Sequence, residues 1–248
     1  MAKLLFRLLW LILFSGIAYA DVLPKYSYSE VYIYDNQDID SNMENNMSDG
    51  TIKDPFIVLN KHVFNINYFI DSAILSPIAE TYIAVIPDRG RARVGNFVSN
   101  LGEPINFVNL ILQGKFDKAR ISLGRFMTNT VLGCAGIMDV ATALNLKYNG
   151  EDFGQTLAHY SVPSGPYLVA PIIGPTSVRD ISGKIVDFFI DPFKYSLNKP
   201  ERNTVSALNM LHKRSSVNQV IKTINNSLDP YETSKVLYTQ NRASSINN

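Results

Sequence analysis

The sequence predicts a mainly α-helical protein with a single domain and an irregular, glycine- and proline-rich segment near its middle. Three observations carry this. Apolar residues recur at three- and four-residue spacing over most of the chain beyond residue 54. Asp-Pro and Pro-Asp steps open several of these periodic stretches, as helix starts do. From Gly133 to Pro175, glycine and proline cut the chain into short apolar pieces that no regular helix accommodates.

The N-terminus comes first. Lys3 and Arg7 precede an apolar run from Leu8 to Ile17, and Ala18-Tyr19-Ala20 places small residues where a signal peptidase requires them. This is the pattern of a secretory signal peptide over residues 1–20, cleaved after Ala20. The run is shorter than the ~20 residues that cross a bilayer. Asp21 and Val22 follow, so no lipobox cysteine stands at the mature end. Cys134, the single cysteine, forms no internal disulfide, and its apolar, glycine-rich setting predicts a small buried side chain.

Residues 21–53 form a polar, acidic leader. Asp35, Asp38, Asp40, Glu44 and Asp49 lie among many Asn and Ser, with Lys25 and Lys53 opposed. Such a stretch buries too little apolar surface to offset chain entropy, which predicts flexibility. Tyr26, Tyr28, Tyr32 and Tyr34 alternate within it as one short strand or docking segment would.

The helical domain spans residues 54–245. Asp54-Pro55 opens a helix carrying Val58, Leu59, Val63, Ile66, Phe69 and Ile70, and Ser76-Pro77 marks a break or kink. Pro87-Asp88 opens a second helix with Val94, Phe97, Val98 and Leu101, expected to end near Gly102-Glu103-Pro104. Ile105–Leu112 then reads as a separate short apolar helix stopped by Gly114, followed by a helix over Lys115–Leu132. After the irregular segment, helices are expected at Arg179–Phe189, Asn203–Leu211 and Val217–Leu228, and a last one starts at Asp229-Pro230.

No catalytic constellation emerges. Ser164 lacks the flanking glycine pair of a nucleophile elbow, and His62, His159 and His212 are too far apart for a ligand pair. Glu151, Asp152, Asp180 and Asp187 are explained by solvated surface and helix capping. No phosphate loop, metal motif or cofactor pattern is present. Lys3 and Arg7 account for two of the 23 basic residues, so the rest of the chain is slightly acidic against its 22 carboxylates and has no basic field for nucleic acid. The chain is therefore read as non-enzymatic.

The apolar distribution is less ordinary. Ile105–Leu112 is apolar all round apart from Asn106 and Asn109, and Phe188, Phe189, Ile190 and Phe193 crowd together. Helices of that kind are buried in protein or in lipid. Two readings stay open: an ordinary core, or a ring of helices partly embedded in one membrane leaflet.

An ordered set of short motifs adds to this. Asp54-Pro55-Phe56, Asn60-Lys61 and Val63-Phe64-Asn65-Ile66-Asn67 are followed by Asn100-Leu101-Gly102-Glu103-Pro104, Asn109 and Gln113-Gly114. Arg125-Phe126, Asn129-Thr130, Leu132-Gly133, Asp139-Val140-Ala141, Phe153-Gly154-Gln155-Thr156-Leu157 and His159-Tyr160 continue it. Gly165-Pro166-Tyr167, Pro171, Gly174, Arg179-Asp180 and Asp229-Pro230-Tyr231 complete it. In their order and spacing these stretches resemble the MlaA (VacJ) family of outer-membrane phospholipid-transport proteins.

The resemblance implies a ring-shaped helical protein at the periplasmic side of the outer membrane. Such a protein removes mislocalised phospholipid from the outer leaflet through an amphipathic channel and passes it to a soluble periplasmic lipid carrier, with an outer-membrane trimeric porin as partner. On that basis Asn65, Asn67, Asn106 and Asn109 are candidate channel groups, with capping or interhelical hydrogen bonding as the equal alternative. Gly133 and Gly136 are candidate gate residues, a plain tight turn being the alternative. One departure stands out, since typical members are lipoproteins; the acidic leader would then serve only as a spacer. The competing reading is a non-transporting envelope structural or adhesion protein.

Overall fold

A computed structural model describes residues 53–247. The signal peptide and all of the acidic leader except Lys53 lie outside the described residues. The chain is mainly helical: α1 (Ile57–Ile70), a π-helical turn (Asp71–Leu75), α2 (Ser76–Val85), α3 (Asp88–Leu112), α4 (Phe116–Val131), α5 (Val140–Ala143) and α6 (Phe153–His159). A two-stranded antiparallel hairpin, β1 (Tyr167–Ala170) and β2 (Gly174–Ser177), precedes α7 (Val178–Ile190), α8 (Pro192–Ser196), α9 (Lys199–Ser216), α10 (Asn218–Asn225) and α11 (Pro230–Asn247).

The break expected at Ser76-Pro77 is a change of helical pitch. The π turn adds a residue to the ladder, and Pro77 then sits in the first turn of α2, where its missing amide costs nothing. Arg214 of α9 clamps this turn, giving Nε to Asp71 Oδ1 at 2.5 Å and its terminal nitrogen to Oδ2 at 2.9 Å. Asp54 does not cap α1, whose N-cap is Phe56. Its carboxylate instead accepts from Asn60 Nδ2 at 2.7 Å and from the Tyr231 hydroxyl. Asp229 does open α11 as expected, accepting the amides of Tyr231 and Glu232.

The two helices expected on either side of Pro104 are one helix of 25 residues, α3. Proline removes only the amide that would reach Asn100, and the packing of α4 along α3 carries the helix through. The α3–α4 turn is a Schellman cap: Gly114 takes φ +71°, and the Lys115 amide reaches the Leu110 carbonyl at 2.9 Å.

The hairpin, which the sequence pattern did not separate from irregular chain, pairs Tyr167 with Ser177 and Ala170 with Gly174. Two asparagines of α1, two turns apart, complete its open edge. Asn60 donates Nδ2 to the Tyr167 carbonyl at 3.1 Å and accepts the Val169 amide at 2.9 Å. Asn67 donates to the Ala170 carbonyl at 2.9 Å and accepts the Ile172 amide at 2.8 Å. Each carboxamide thus stands in for a backbone peptide of a third strand. Tyr167, Val169 and Tyr231 form a small apolar cluster behind them, flanked by Val63, Phe64 and Tyr238.

Cys134 is exposed rather than buried. It lies in a tight turn from Leu132 to Met138, where Cys134, Ala135 and Gly136 all take left-handed φ values of 53°, 60° and 90°. The turn aims the thiol outward while the glycines take the crowded positions.

Asn60→Ala strands the Tyr167 carbonyl and the Val169 amide at a buried edge, a loss on the order of 2–4 kcal/mol for two unmet groups. Chemical unfolding in detergent is expected to register that loss, and an unchanged midpoint would show that water replaces the carboxamide.

Candidate functional site

Interior and exterior are exchanged relative to a water-soluble domain. Among the described residues eight hydrophobic side chains are buried, three of them alanines on helices, against nineteen polar or charged ones. Thirty-two large hydrophobic side chains are exposed. They include Val58, Leu59 and Phe69 on α1, Phe116, Leu123, Met127 and Val131 on α4, and Ile185, Phe188 and Phe189 on α7. No single helix among the described residues is long and apolar enough to cross a membrane.

The polar interior follows from the spacing along α3. Asn100, Glu103, Asn106, Asn109 and Gln113 recur every three or four residues and are all buried, so they line one face. Ser122, Arg125 and Asn129 do the same on α4. The two faces meet. Arg125 donates Nε to Glu103 Oε1 at 2.9 Å, while Ser122 Oγ and Asn106 Nδ2 reach Glu103 Oε2 at 2.6 and 3.0 Å. The rest of the guanidinium holds the segment after α4: both Asp139 carboxylate oxygens at 3.2 Å and the Leu146 carbonyl at 2.5 Å. Asn129 completes the tie, donating to Asp139 and accepting the Ala141 amide at 2.8 Å.

A second group lies further along α3. Asn109 donates to Asp187 of α7 at 2.9 Å and accepts from Thr156 of α6 at 2.8 Å. Gln113 donates to Glu151 at 2.9 Å, and Lys115 pairs with the same carboxylate at 2.8 Å. Arg242 of α11 joins Asp152 and Asp180. Asp152 also caps α6 through a capping box with Gln155. Of the four carboxylates expected to be solvated or capping, Asp152 caps and Asp180 stands in the first turn of α7 as expected. Asp180 and Glu151 are buried and bonded rather than solvated, and Asp187 is bonded to Asn109 and the Phe153 amide.

Protonation follows from these partners. Burial pushes the Asp139 carboxyl up, but the Thr142, Arg125 and Asn129 contacts outweigh it and hold it below its ordinary 3.8. Burial likewise opposes Arg242 at Asp152 and at Asp180, and Arg242, with Tyr238 at Asp180, prevails. Asp187 is the reverse case. Burial outweighs the Asn109 and Phe153 hydrogen bonds and, with Asp152 nearby, raises its carboxyl.

The four candidate channel asparagines are not gathered in one place. Asn65 is exposed on α1, and Asn67 staples the hairpin. Asn106 and Asn109 lie within the polar interior, with their carboxamides engaged between helices. Gly133 and Gly136 belong to the tight turn. A Cβ at Gly133 would meet the Met138 carbonyl oxygen at 2.2 Å, and one at Gly136 the Asn100 side chain at 2.5 Å. Glu103, Gln113, Arg125 and Asp139 entered the sequence reading only within the family motifs and not as site candidates. Their signal was the same three- and four-residue spacing, read in polar rather than apolar residues.

The MlaA lipoprotein family model matches residues 52–245. This chain belongs to the MlaA family. A Rickettsia bellii protein is 38% identical over 79% of this chain and 77% of its own length. The intermembrane phospholipid transport system lipoprotein MlaA of Haemophilus influenzae is 30% identical over 76% of this chain and 77% of its own. A solved structure, reported as the structural basis for maintenance of bacterial outer membrane lipid asymmetry, superposes with a TM-score of 0.69 at 31% identity, covering 78% of this chain and 99% of that one. The MlaA fold in this chain is thus helical, polar inside and apolar outside.

Arg125→Met leaves Glu103 charged and buried, a loss on the order of 3–5 kcal/mol. The double change Glu103→Leu with Arg125→Met is expected to recover part of it in detergent unfolding, and a double variant as unstable as the sum would show that the two do not act as a pair.

The depressed carboxyls of Asp139, Asp152 and Asp180 give stability that is present above their unfolded value of 3.8 and is lost as pH falls through the lower folded values. Asp187 contributes in the opposite direction, losing stability as pH rises past 3.8. Well below that value Asp187 is protonated in both states and adds little slope, so the unfolding midpoint should fall on further acidification as the other three protonate. Arg242→Met should flatten this slope, and an equal slope in the variant would count against Arg242 as its source.

Proposed function

We infer that this protein is a phospholipid-transport component that maintains outer-membrane lipid asymmetry, removing mislocalised phospholipid from the outer leaflet. The observation that carries the reading is the exchange of interior and exterior. An apolar outer surface with no spanning helix among the described residues suits a body set into one leaflet, where hydrocarbon takes the place of a protein core. A lipid's charged head requires polar groups along its path and its tails an apolar wall, and this chain keeps both within one helical body. Membership of the MlaA family, and relatives named for intermembrane phospholipid transport, support the same reading.

The work moves a molecule and breaks no bond, so it calls for no nucleophile, metal or cofactor. Export by a cleaved signal peptide, residence on the periplasmic side of the outer membrane, transfer to a soluble periplasmic lipid carrier and association with a trimeric porin complete the proposal. The apolar exterior contributes retention at the membrane. Each 100 Å² of it placed in hydrocarbon is worth about 2.5 kcal/mol.

Mass spectrometry of lipids carried by the detergent-purified protein, with membrane fractionation of the same cells, tests this. Phospholipid bound to an outer-membrane protein is expected. A lipid-free protein in the soluble periplasmic fraction would mean that the family fold has been kept for another task.

A further inference from the structure

The corner between α7 and α8 carries a cluster that the polar interior does not use. Phe188 and Phe189 are 57% and 58% exposed, with ring centroids 5.6 Å apart and an edge-on angle of 73°. Lys194 Nζ stands 3.9 Å over the first ring, 4.2 Å over the second and 5.4 Å from the ring of Tyr195. Tyr195 is 69% exposed and donates its hydroxyl to the Phe189 carbonyl at 2.9 Å, which fixes its ring beside the lysine. The ammonium therefore rests on aromatic faces, and its N–H groups on the far side remain free to donate.

The place of the cluster in the chain matters as much as its geometry. On α7 Val178, Ile185, Phe188 and Phe189 are large, apolar and exposed, with Ser182 and Lys184 exposed among them. Beyond Asp191 the chain turns charged, with Lys194, Lys199, Glu201 and Arg202 within a dozen residues. Large exposed apolar side chains thin out beyond this corner, to Met210, Val220 and Leu228. A lysine lying along apolar surface with its head at the polar boundary, beside an outward tyrosine, has the composition of a membrane interface.

We propose that Phe188, Phe189, Lys194 and Tyr195 form an interfacial anchor, in which the two phenylalanine rings enter the acyl region, Tyr195 marks the headgroup boundary and the Lys194 ammonium pairs with a phospholipid phosphate. The proposal rests on the reading that the apolar exterior faces lipid, and it adds depth and orientation: the α7–α8 corner lies at phosphate level. The anchor sets the height at which the helical body rides in the leaflet.

Trp10, the only tryptophan, lies in the proposed cleaved signal peptide, so the protein from Asp21 onward accepts a single reporter without interference. Phe189→Trp in that background, in vesicles of phosphatidylethanolamine and phosphatidylglycerol with bromines at a shallow or a deep acyl position, reads the depth of the corner. Shallow bromines are expected to quench it about twofold more than deep ones, as for an interfacial aromatic. Adding Lys194→Gln is expected to reduce that preference, and Lys194→Arg to restore it. Phe69→Trp on α1 reports embedding of the body as a whole. Quenching of that reporter without quenching at position 189 would place the corner in water or against a protein and overturn the anchor, while the lipid-facing reading stands. Stronger quenching at 189 by deep bromines would overturn it too. Quenching at neither position would remove the anchor together with the reading beneath it.

Discussion

The Arg125 guanidinium is the interaction on which the interior depends. It faces Glu103 on α3, Asp139 at the start of α5 and the Leu146 carbonyl beyond it, so one side chain sets the spacing of three consecutive pieces of chain. Glu103 is 1% exposed. A carboxylate so deeply placed is tolerable only with its partner and hydrogen bonds complete, and Ser122 and Asn106 supply the rest. The constraint passes outward from there. Asn106 accepts the Glu151 amide, Glu151 takes Gln113 and Lys115, and Asn109 reaches Asp187. The groups of this network answer one another, which is the condition for helices to keep such groups inside while facing hydrocarbon outside; Asn100 Oδ1, also buried, is left without a partner.

The helical class and most helix starts were legible because periodicity and capping act locally. Asp229 and Asp152 cap as their sequence context implies. What was not legible depended on distant partners. Pro104 looked like a boundary because proline removes a local bond, yet α4 lies along α3 and carries it through. Asp54 looked like a cap, but Asn60 and Tyr231 recruit it across the fold. The hairpin escaped notice because half of what holds its edge is a pair of side chains more than a hundred residues upstream. Its β2 strand, Gly-Pro-Thr-Ser, has almost none of the residues that favour strands.

The site was legible in part. Asn106 and Asn109 drew attention as polar intrusions in an apolar helix, and both belong to the interior. Arg125, Asp139 and Glu103 were noted only as parts of the family motifs and not as interior groups, because charged residues are ordinarily taken as solvated. In a chain whose outer surface is apolar that expectation reverses, and a polar stripe at helical spacing becomes the mark of the inside. Cys134 fails for the related reason that an apolar neighbourhood in sequence guaranteed no burial in a strained outward turn.

The π turn between α1 and α2 has a consequence for how this chain can change. One extra residue in a helix shifts the phase of everything after it by about 100°. With Asp71–Leu75 in place, Ile78 and Val85 of α2 emerge on the outer side while Ala79 is fully enclosed. Loss of a single residue here would leave the composition of both helices nearly untouched, yet rotate α2 until an apolar row faced the polar interior. The turn therefore works as a phase adjuster between two helices in series. Insertions and deletions in this stretch are constrained by angle, where elsewhere on a surface they are constrained mainly by length.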